Sequence, residues 1–288
     1  MDGRTRNGNQ VKQFNLNPMK SNNQPLWIRI VRNACGLLLL LSCVLPLRAD
    51  TEELKLSDKT LITFNPLGCI SKITIDNAPI LEASFVMAEK KIAEGTITDP
   101  KAKSVIHQNW SSVLGDKAQY QVKDSSHEFS GTIIDSKSPG KPRELDYVVT
   151  YTKLDENRFR VHATVTPLSD SKWFAKPFYQ FSFPFAVYGD GTVVTQTTRG
   201  QEEQTRLNTD KLVFKGEYSQ VSILNGKRGL ILECNDDCVI RLTDTRLWKG
   251  KVLSVSVAPK PKGSDDPNAS ELTEKSEIDV VVTVKTGE

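Results

Sequence analysis

The sequence has few groups that could bind a metal ion or a nucleic acid. It contains three histidines, His107, His127 and His162, and their spacing matches no known set of metal ligands. The formal charge is +3, but the first 49 residues carry seven basic residues and one acidic residue, so the rest of the chain is slightly acidic. Nucleic-acid-binding proteins usually present a basic surface. We therefore expect no metal site, no cofactor and no nucleic-acid partner.

The sequence also lacks an apolar run long enough to cross a bilayer. The run at residues 37–47 is about half the length of a membrane-spanning helix. Arg29 and Arg32 precede this run, and a small residue, Ala49, follows it, which is the order of a secretory signal. We predict a signal segment over residues 1–49, a single domain over residues 50–288, and an exported protein, periplasmic or secreted, without a membrane span.

Two features of the signal segment leave alternatives open. Translation can begin at Met1 or at Met19, because the shorter start gives a more ordinary basic region before the apolar run. The stretch "LLSC", which ends at Cys43, resembles a bacterial lipobox, so a lipid anchor is the alternative to cleavage. Leu41 fits the middle position of a lipobox poorly, and cleavage after Ala49 is the favoured interpretation.

Of the five cysteines, two lie close together beyond the signal segment. Cys234 and Cys238 flank the turn residues of "LILECNDDCVIRL", between two β-prone runs. In an exported protein this pattern predicts a disulfide across the end of a hairpin. Zinc binding is the alternative, but no histidine lies nearby. Cys69 is expected to be a small buried residue.

Helical patterns are almost absent, and strand patterns continue through most of the domain. Residues 145–167 alternate apolar and polar side chains on both sides of a polar turn, which predicts an antiparallel hairpin. Further turns recur at short spacing, and residues 259–277 have the composition of an exposed loop. Residues 84–95 are the one segment expected to form a short helix. The predicted fold is all-β, a large antiparallel β-sandwich.

Three stretches resemble the galactose-mutarotase-like superfamily. They are "NPLGCISKITIDNAPIL", "LDYVVTYTKLDENRFRVHATVTP" and "KPFYQFSFPFAVYGDG". The resemblance implies the supersandwich fold and a sugar ligand. Mutarotases place a catalytic histidine on the strand that here reads "YQFSF", and none of the three histidines occupies that position. Mutarotation needs a general acid and a general base, so we expect no mutarotase activity.

The stretch "TQTTRGQEEQTR", residues 195–206, contains no aliphatic side chain. A strand that is polar on both faces lines a wet groove or lies at a sheet edge. Arg199 with Glu202 or Glu203 could orient sugar hydroxyls or bind a carboxylate. Glu202 and Glu203 are adjacent, so on one strand they point to opposite faces and cannot form a catalytic pair.

Four further residues are candidates for ligand binding. His162 lies on the polar face of its strand, opposite Phe159 and Val161, although an ordinary solvated face is the alternative. Aromatic residues in connections project from a scaffold and can contact sugars. Trp173, Tyr179 and Trp248 lie in such stretches, with hydrophobic anchoring of loops as the alternative.

These observations support three hypotheses about function. The leading one is an exported carbohydrate-binding protein whose partner is a glycan or polysaccharide. The first alternative is a glycoside hydrolase or polysaccharide lyase that uses a glutamate together with His162 or a tyrosine. The second is a structural or protein-interaction domain of the cell envelope. The sequence contains no Ser-His-Asp order and no phosphate-binding loop that would indicate another activity.

Overall fold

A computed structural model describes residues 51–91, 107–111, 117–134, 143–168, 174–207, 212–260 and 275–287. The predicted signal segment, Cys43 and Trp173 lie outside these residues. No helix in the described ranges is both long enough and apolar enough to cross a membrane. The described chain is built almost wholly of antiparallel strands, in agreement with the predicted all-β sandwich.

A small sheet of four strands opens the domain. Its strands follow one another in the order β1–β2–β3–β4. Their bounds are Glu53–Lys55, Thr60–Phe64, Ile70–Ile75 and Ala78–Leu81. A tight turn at Asp76 and Asn77, both with positive φ, joins β3 to β4.

The remaining strands form a sheet of 14 strands. They are β5 (Ala83–Lys91), β6 (His107–Ser111), β7 (Gln119–Lys123), β8 (Ser126–Ile134), β9 (Arg143–Lys153), β10 (Arg158–Pro167), β11 (Phe174–Pro184), β12 (Thr192–Thr197), β13 (Glu202–Arg206), β14 (Tyr218–Asn225), β15 (Arg228–Cys234), β16 (Cys238–Asp244), β17 (Val252–Pro259) and β18 (Ser276–Thr286). A short helix, α1 (Phe185–Tyr188), follows β11, and a 3₁₀ turn, Thr245–Trp248, follows β16.

The strand order of the large sheet leaves two strands, β12 and β13, beside its main path. The main path is β6–β5–β11–β17–β16–β14–β15–β18–β10–β9–β8–β7. Strand β12 pairs with β14 beside this path, and among the described strands β13 pairs only with β12. A single residue pair, Tyr218 with Ile240, joins β14 to β16. The β12–β13 hairpin therefore lies next to β14, the strand that is joined to β16 by a single residue pair.

The core follows the alternation expected of strands with one buried face. In β10, Phe159, Val161, Ala163 and Val165 are fully buried, and the residues between them are more accessible. Strand β10 pairs with β9 as the predicted hairpin requires, with Val161 opposite Tyr151. The hairpin predicted for residues 145–167 is thus present in the structure.

One prediction of secondary structure was wrong. Residues Ala83–Lys91, in the segment expected to be helical, form strand β5, because β5 pairs with β11 on one side and with β6 on the other. Tertiary pairing of this kind overrides a weak helix propensity. The short helix α1 and the 3₁₀ turn were not predicted.

The predicted disulfide between Cys234 and Cys238 is not formed in the structure. Both residues are buried free thiols, and the strands that carry them, β15 and β16, do not pair as a hairpin. The Sγ atom of Cys234 donates a hydrogen bond to the carbonyl oxygen of Cys238, at 3.3 Å. Burial, together with the nearby Cys238, raises the pKa of the Cys234 thiol to about 12.

Candidate functional site

The β12–β13 hairpin contains the polar stretch 195–206. Its register places Thr195 opposite Glu203 and Gln196 opposite Glu202. The connecting turn is closed by Gly200, whose N–H donates to the carbonyl oxygen of Thr197 at 2.9 Å. Gly200 has a φ of +79°, which glycine adopts without strain.

The alternation along this hairpin separates its two acidic residues. Glu203 lies on the same face as Thr195 and Thr197, because directly paired residues of antiparallel strands share a face. Glu202 is paired with Gln196 on the opposite face, and both glutamates are exposed. The two glutamates point away from each other, as the sequence predicted for a strand.

A second stretch, residues 212–217, faces the hairpin and is called the wall segment below. It runs beside β16. The N–H of Leu212 donates to Oδ2 of Asp244 at 2.8 Å, at the end of β16. Five residues later, Glu217 forms an ion pair with Arg241, and the chain then enters β14 at Tyr218.

Between the hairpin and the wall segment lies a depression with a volume of about 520 Å³, the hairpin groove. One side presents hydroxyl groups and a carboxylate, and the other presents mostly apolar side chains. The lining residues are Thr195, Thr197, Glu203 and Thr205 of the hairpin, Leu212, Val213, Phe214, Lys215 and Gly216 of the wall segment, and Tyr218.

The apolar side of the hairpin groove includes side chains that remain accessible to solvent. Val213 is 64% exposed, although most valines of this fold are buried. Phe214 is half-buried. A Cβ at Gly216 would lie 2.8 Å from Cζ of Tyr218, so the backbone of the wall segment passes directly over that ring. The groove thus offers an apolar surface opposite a row of hydroxyls.

A buried ion pair lies at one end of the hairpin groove. The Asp244 side chain has no solvent exposure, and its Oδ2 accepts a hydrogen bond from Nη2 of Arg246 at 2.7 Å. Burial alone would raise the pKa of Asp244. Hydrogen bonds from Arg246 and from the Leu212 N–H outweigh it, and the net effect lowers the pKa. The guanidinium of Arg246 also lies 4.0 Å from the centre of the Phe185 ring.

The other candidate residues are not gathered in this groove. Arg199 is exposed at the tip of the hairpin, beyond the lining residues. Trp248 is 70% exposed on the 3₁₀ turn that follows Asp244. Tyr179 is fully buried, and its hydroxyl is bonded to those of Ser84 and Tyr151. The structure therefore places Tyr179 in the core.

His162 lies on β10, away from the hairpin groove. Its register partners are Thr150 on β9 and Asp279 on β18. Asp279 accepts a hydrogen bond from Nε of Arg160 at 2.7 Å. The Nδ1 atom of His162 is buried and has no hydrogen-bond partner among the described residues. His162 and Glu203 are thus on separate strands, and His162 is not among the residues that line the hairpin groove.

Sequence reasoning found the polar side of the groove but missed its apolar side. The wall segment was not a candidate, although "KLVFKGEY" places Leu212 and Phe214 two residues apart as an extended strand does. The missing information is long-range, because the contacts join the wall segment to β16 and to the hairpin.

No protein-family model matches the sequence, and no curated protein matches it. Solved structures do match. One is a protein assigned as an aldose 1-epimerase from Escherichia coli K12, with 11% identity and a TM-score of 0.50 over 82% of this chain and 99% of that one. Another is the GalM/aldose epimerase homologue from C. elegans, with the same identity, TM-score and coverage. The chain therefore has the galactose-mutarotase-like fold in a divergent form, as the resemblance predicted.

Proposed function

We propose that this protein binds carbohydrate in the hairpin groove and has no mutarotase activity. The observation that carries the proposal is the division of the groove into two chemically different sides. Thr197, Thr205 and Glu203 supply hydroxyl and carboxylate oxygens on one side, whereas the neighbouring Thr195 is buried and its hydroxyl donates to the carbonyl oxygen of Glu203. Val213 and Phe214 supply an apolar surface on the other.

A pyranose ring fits such a division. Its C–H face packs on apolar and aromatic side chains, while its hydroxyls need donors and acceptors at the ring edge. Threonine hydroxyls both donate and accept hydrogen bonds, and an ionised glutamate accepts them strongly. The groove volume of about 520 Å³ lies within the range of small-molecule sites.

The galactose-mutarotase-like fold supports a carbohydrate-related role, although fold alone does not fix function. The strand that carries "YQFSF" has no histidine to act as acid or base. Glu203 carries the one carboxylate among the described residues that line the groove. Glycosidic cleavage uses a pair of carboxyl groups, so the groove favours binding over hydrolysis.

The proposal is tested by screening the full chain against a glycan array and measuring affinities for every hit. Glu203→Gln should weaken binding by about ten- to a hundredfold, because one charge-assisted hydrogen bond contributes roughly 1.5–3 kcal/mol. Glu202→Gln is the matched control, since the neighbouring glutamate lies on the opposite face. The control should leave affinity unchanged.

Three results would argue against this proposal. Equal losses from both glutamate variants would show that the bound sugar does not lie in the hairpin groove. Release of reducing sugar from a bound polysaccharide would favour the hydrolase or lyase alternative. The absence of any glycan binding, combined with co-purification of a stable protein partner, would favour the structural or interaction domain.

The proposed location of this activity is outside the cytoplasm. It rests on the basic, apolar and small-residue order of residues 1–49. Sequencing the amino terminus of protein recovered from the cell envelope or medium should find Asp50 first. A lipid-modified Cys43 at that terminus would favour the lipid-anchor alternative.

A further inference from the structure

One buried ion pair binds both ends of the connection between β13 and the wall segment. The carboxylate of Asp244 accepts a hydrogen bond from the Leu212 N–H at 2.8 Å. Nη1 of Arg246 donates to the carbonyl oxygen of Leu207 at 3.2 Å. Leu207 directly follows β13, and Leu212 begins the wall segment. The chain that leaves the polar side of the groove and the chain that begins its apolar side are therefore held by the same pair.

The pair is itself rigidly held. Arg246 donates to Asp244 from its backbone N–H, at 3.0 Å, and from Nε and Nη2 of its guanidinium. The guanidinium packs on Phe185, and the 3₁₀ turn is closed by Lys249 in the left-handed conformation. Because the Asp244 carboxylate is buried and accepts several hydrogen bonds, it fixes the positions of Arg246 and of the Leu212 N–H.

The opposite end of the wall segment is fixed by different contacts. Glu217 forms an ion pair with Arg241, and both side chains are partly exposed, at 46% for Glu217 and 36% for Arg241. Exposed ion pairs contribute little to stability, because water and salt screen them. Tyr218 pairs with Ile240 in the sheet. The wall segment is thus anchored by the sheet at its end and by the buried Asp244–Arg246 pair at its start.

We propose that Asp244 and Arg246 are positioning residues for the hairpin groove. They hold Val213 and Phe214 opposite Thr195 and Glu203 without themselves lining the groove. The expected effect of these residues on glycan affinity rests on the proposed function, whereas their expected effect on the order of the wall segment does not. Loss of the pair should loosen the wall segment and leave the remainder of the sandwich intact.

Hydrogen exchange on the full chain without ligand tests the structural part. Asp244→Asn preserves the size of the side chain but removes the charge and replaces one acceptor by a donor. The Leu212 amide should then exchange at least tenfold faster, because its carboxylate acceptor is lost. Amides of β10 and β18, such as Val161 and Val280, should be unchanged.

Two further variants make this result specific. Arg246→Lys keeps the positive charge but cannot bridge Asp244 and Leu207 together, so it should produce an intermediate increase in the Leu212 exchange rate. Asp76→Asn is the matched control, since Asp76 pairs with Arg228 at an exposed site and its positive φ is one that asparagine tolerates. The control should leave Leu212 exchange unchanged.

Glycan affinity tests the functional part, using the array hits of the wild-type chain. Asp244→Asn should weaken binding about tenfold, in parallel with faster Leu212 exchange. Faster exchange throughout β10 and β18, or unchanged exchange at Leu212, would overturn the positioning role. Local loosening with full affinity would also overturn it, because the wall segment would then not contribute to binding. If the wild-type chain binds no glycan, the proposed function fails while the exchange rates still decide whether the pair fixes the wall segment.

Discussion

The hydroxyl of Tyr179 shows how a polar atom is accommodated in the core of this sandwich. It lies 2.5 Å from Oγ of Ser84 and 2.7 Å from the hydroxyl of Tyr151. The Ser84 hydroxyl in turn accepts from the Ile70 N–H, and the Tyr151 hydroxyl donates to the carbonyl oxygen of Gly68. Each of these three buried hydroxyls therefore has partners, which offsets the cost of burying a polar group.

Tyr179→Phe should destabilise the protein by about 1–3 kcal/mol, because Ser84 and Tyr151 each lose a buried partner. Equilibrium unfolding in urea gives the free energy of unfolding for the variant and the wild type. Trp248→Phe is the control, since that ring is 70% exposed and surface substitutions usually change stability by less than about 0.5 kcal/mol. A Tyr179→Phe variant as stable as the wild type would show that the network contributes no net stability.

The core position of Tyr179 was available from the sequence through strand periodicity. Tyr179, Phe181 and Phe183 alternate along β11, and all three are fully buried. Trp173 and Pro177 in the same stretch favoured its interpretation as a connection instead of a strand. Trp248, by contrast, lies on a 3₁₀ turn none of whose residues is buried.

At the level of single elements, the pairing of strands β8 and β9 places the Tyr147 ring against the backbone of Gly131. Gly131 lies opposite Tyr147 in the register. A Cβ at Gly131 would lie 2.6 Å from Cζ of Tyr147. The Tyr147 ring therefore lies over the bare backbone of Gly131, and its hydroxyl reaches the carbonyl oxygen of Leu67 at 2.7 Å.

Gly131→Ala should cost about 1–3 kcal/mol, the range for overpacking a well-packed core, since the methyl group displaces the Tyr147 ring. Urea unfolding measures this loss. Gly200→Asn is the control, because Gly200 faces open space and asparagine tolerates its positive φ. If the alanine variant were as stable as the control, the Tyr147 ring would be able to move to another position without loss of stability, and the close packing would not constrain it.

The sequence predicted individual elements where their patterning is local. The β9–β10 hairpin was recognisable from two alternating runs around "LDENR". The β5 segment was not, because its strand conformation depends on pairing with β11, about ninety residues away. The cysteine prediction failed for the same reason. A turn between two strands does not reveal whether those strands pair with each other, and β15 instead pairs with β14 and β18.

At the level of the whole molecule, the sequence predicted the architecture and one side of the candidate site. The all-β sandwich and its mutarotase-like form were both recovered. The polar hairpin was also identified as a groove or an edge, and in the structure it is both, because β13 pairs only with β12 among the described strands and Glu203 lines the groove. The opposite wall could not be predicted, because its position depends on contacts with Asp244 and Arg241 of β16.

The small sheet packs against the core of the large sheet. Its Phe64 ring lies 4.5 Å from that of Tyr151 and 5.0 Å from that of Phe129, both on strands of the large sheet. The carbonyl oxygens of Leu67 and Gly68, between β2 and β3, accept hydrogen bonds from buried tyrosines. The described core is thus shared between the two sheets.

A chain of residues 50–288 should therefore unfold in one cooperative thermal transition at the same temperature as the full chain. A chain of residues 82–288 should lose that transition and bind a hydrophobic dye. Removing the small sheet exposes the tyrosine rings it covers and leaves their hydroxyls without carbonyl partners. Circular dichroism during heating and dye fluorescence measure the two effects. Cooperative unfolding of the 82–288 chain at an unchanged temperature would mean that the large sheet closes its own core, and that the small sheet packs on a surface already complete.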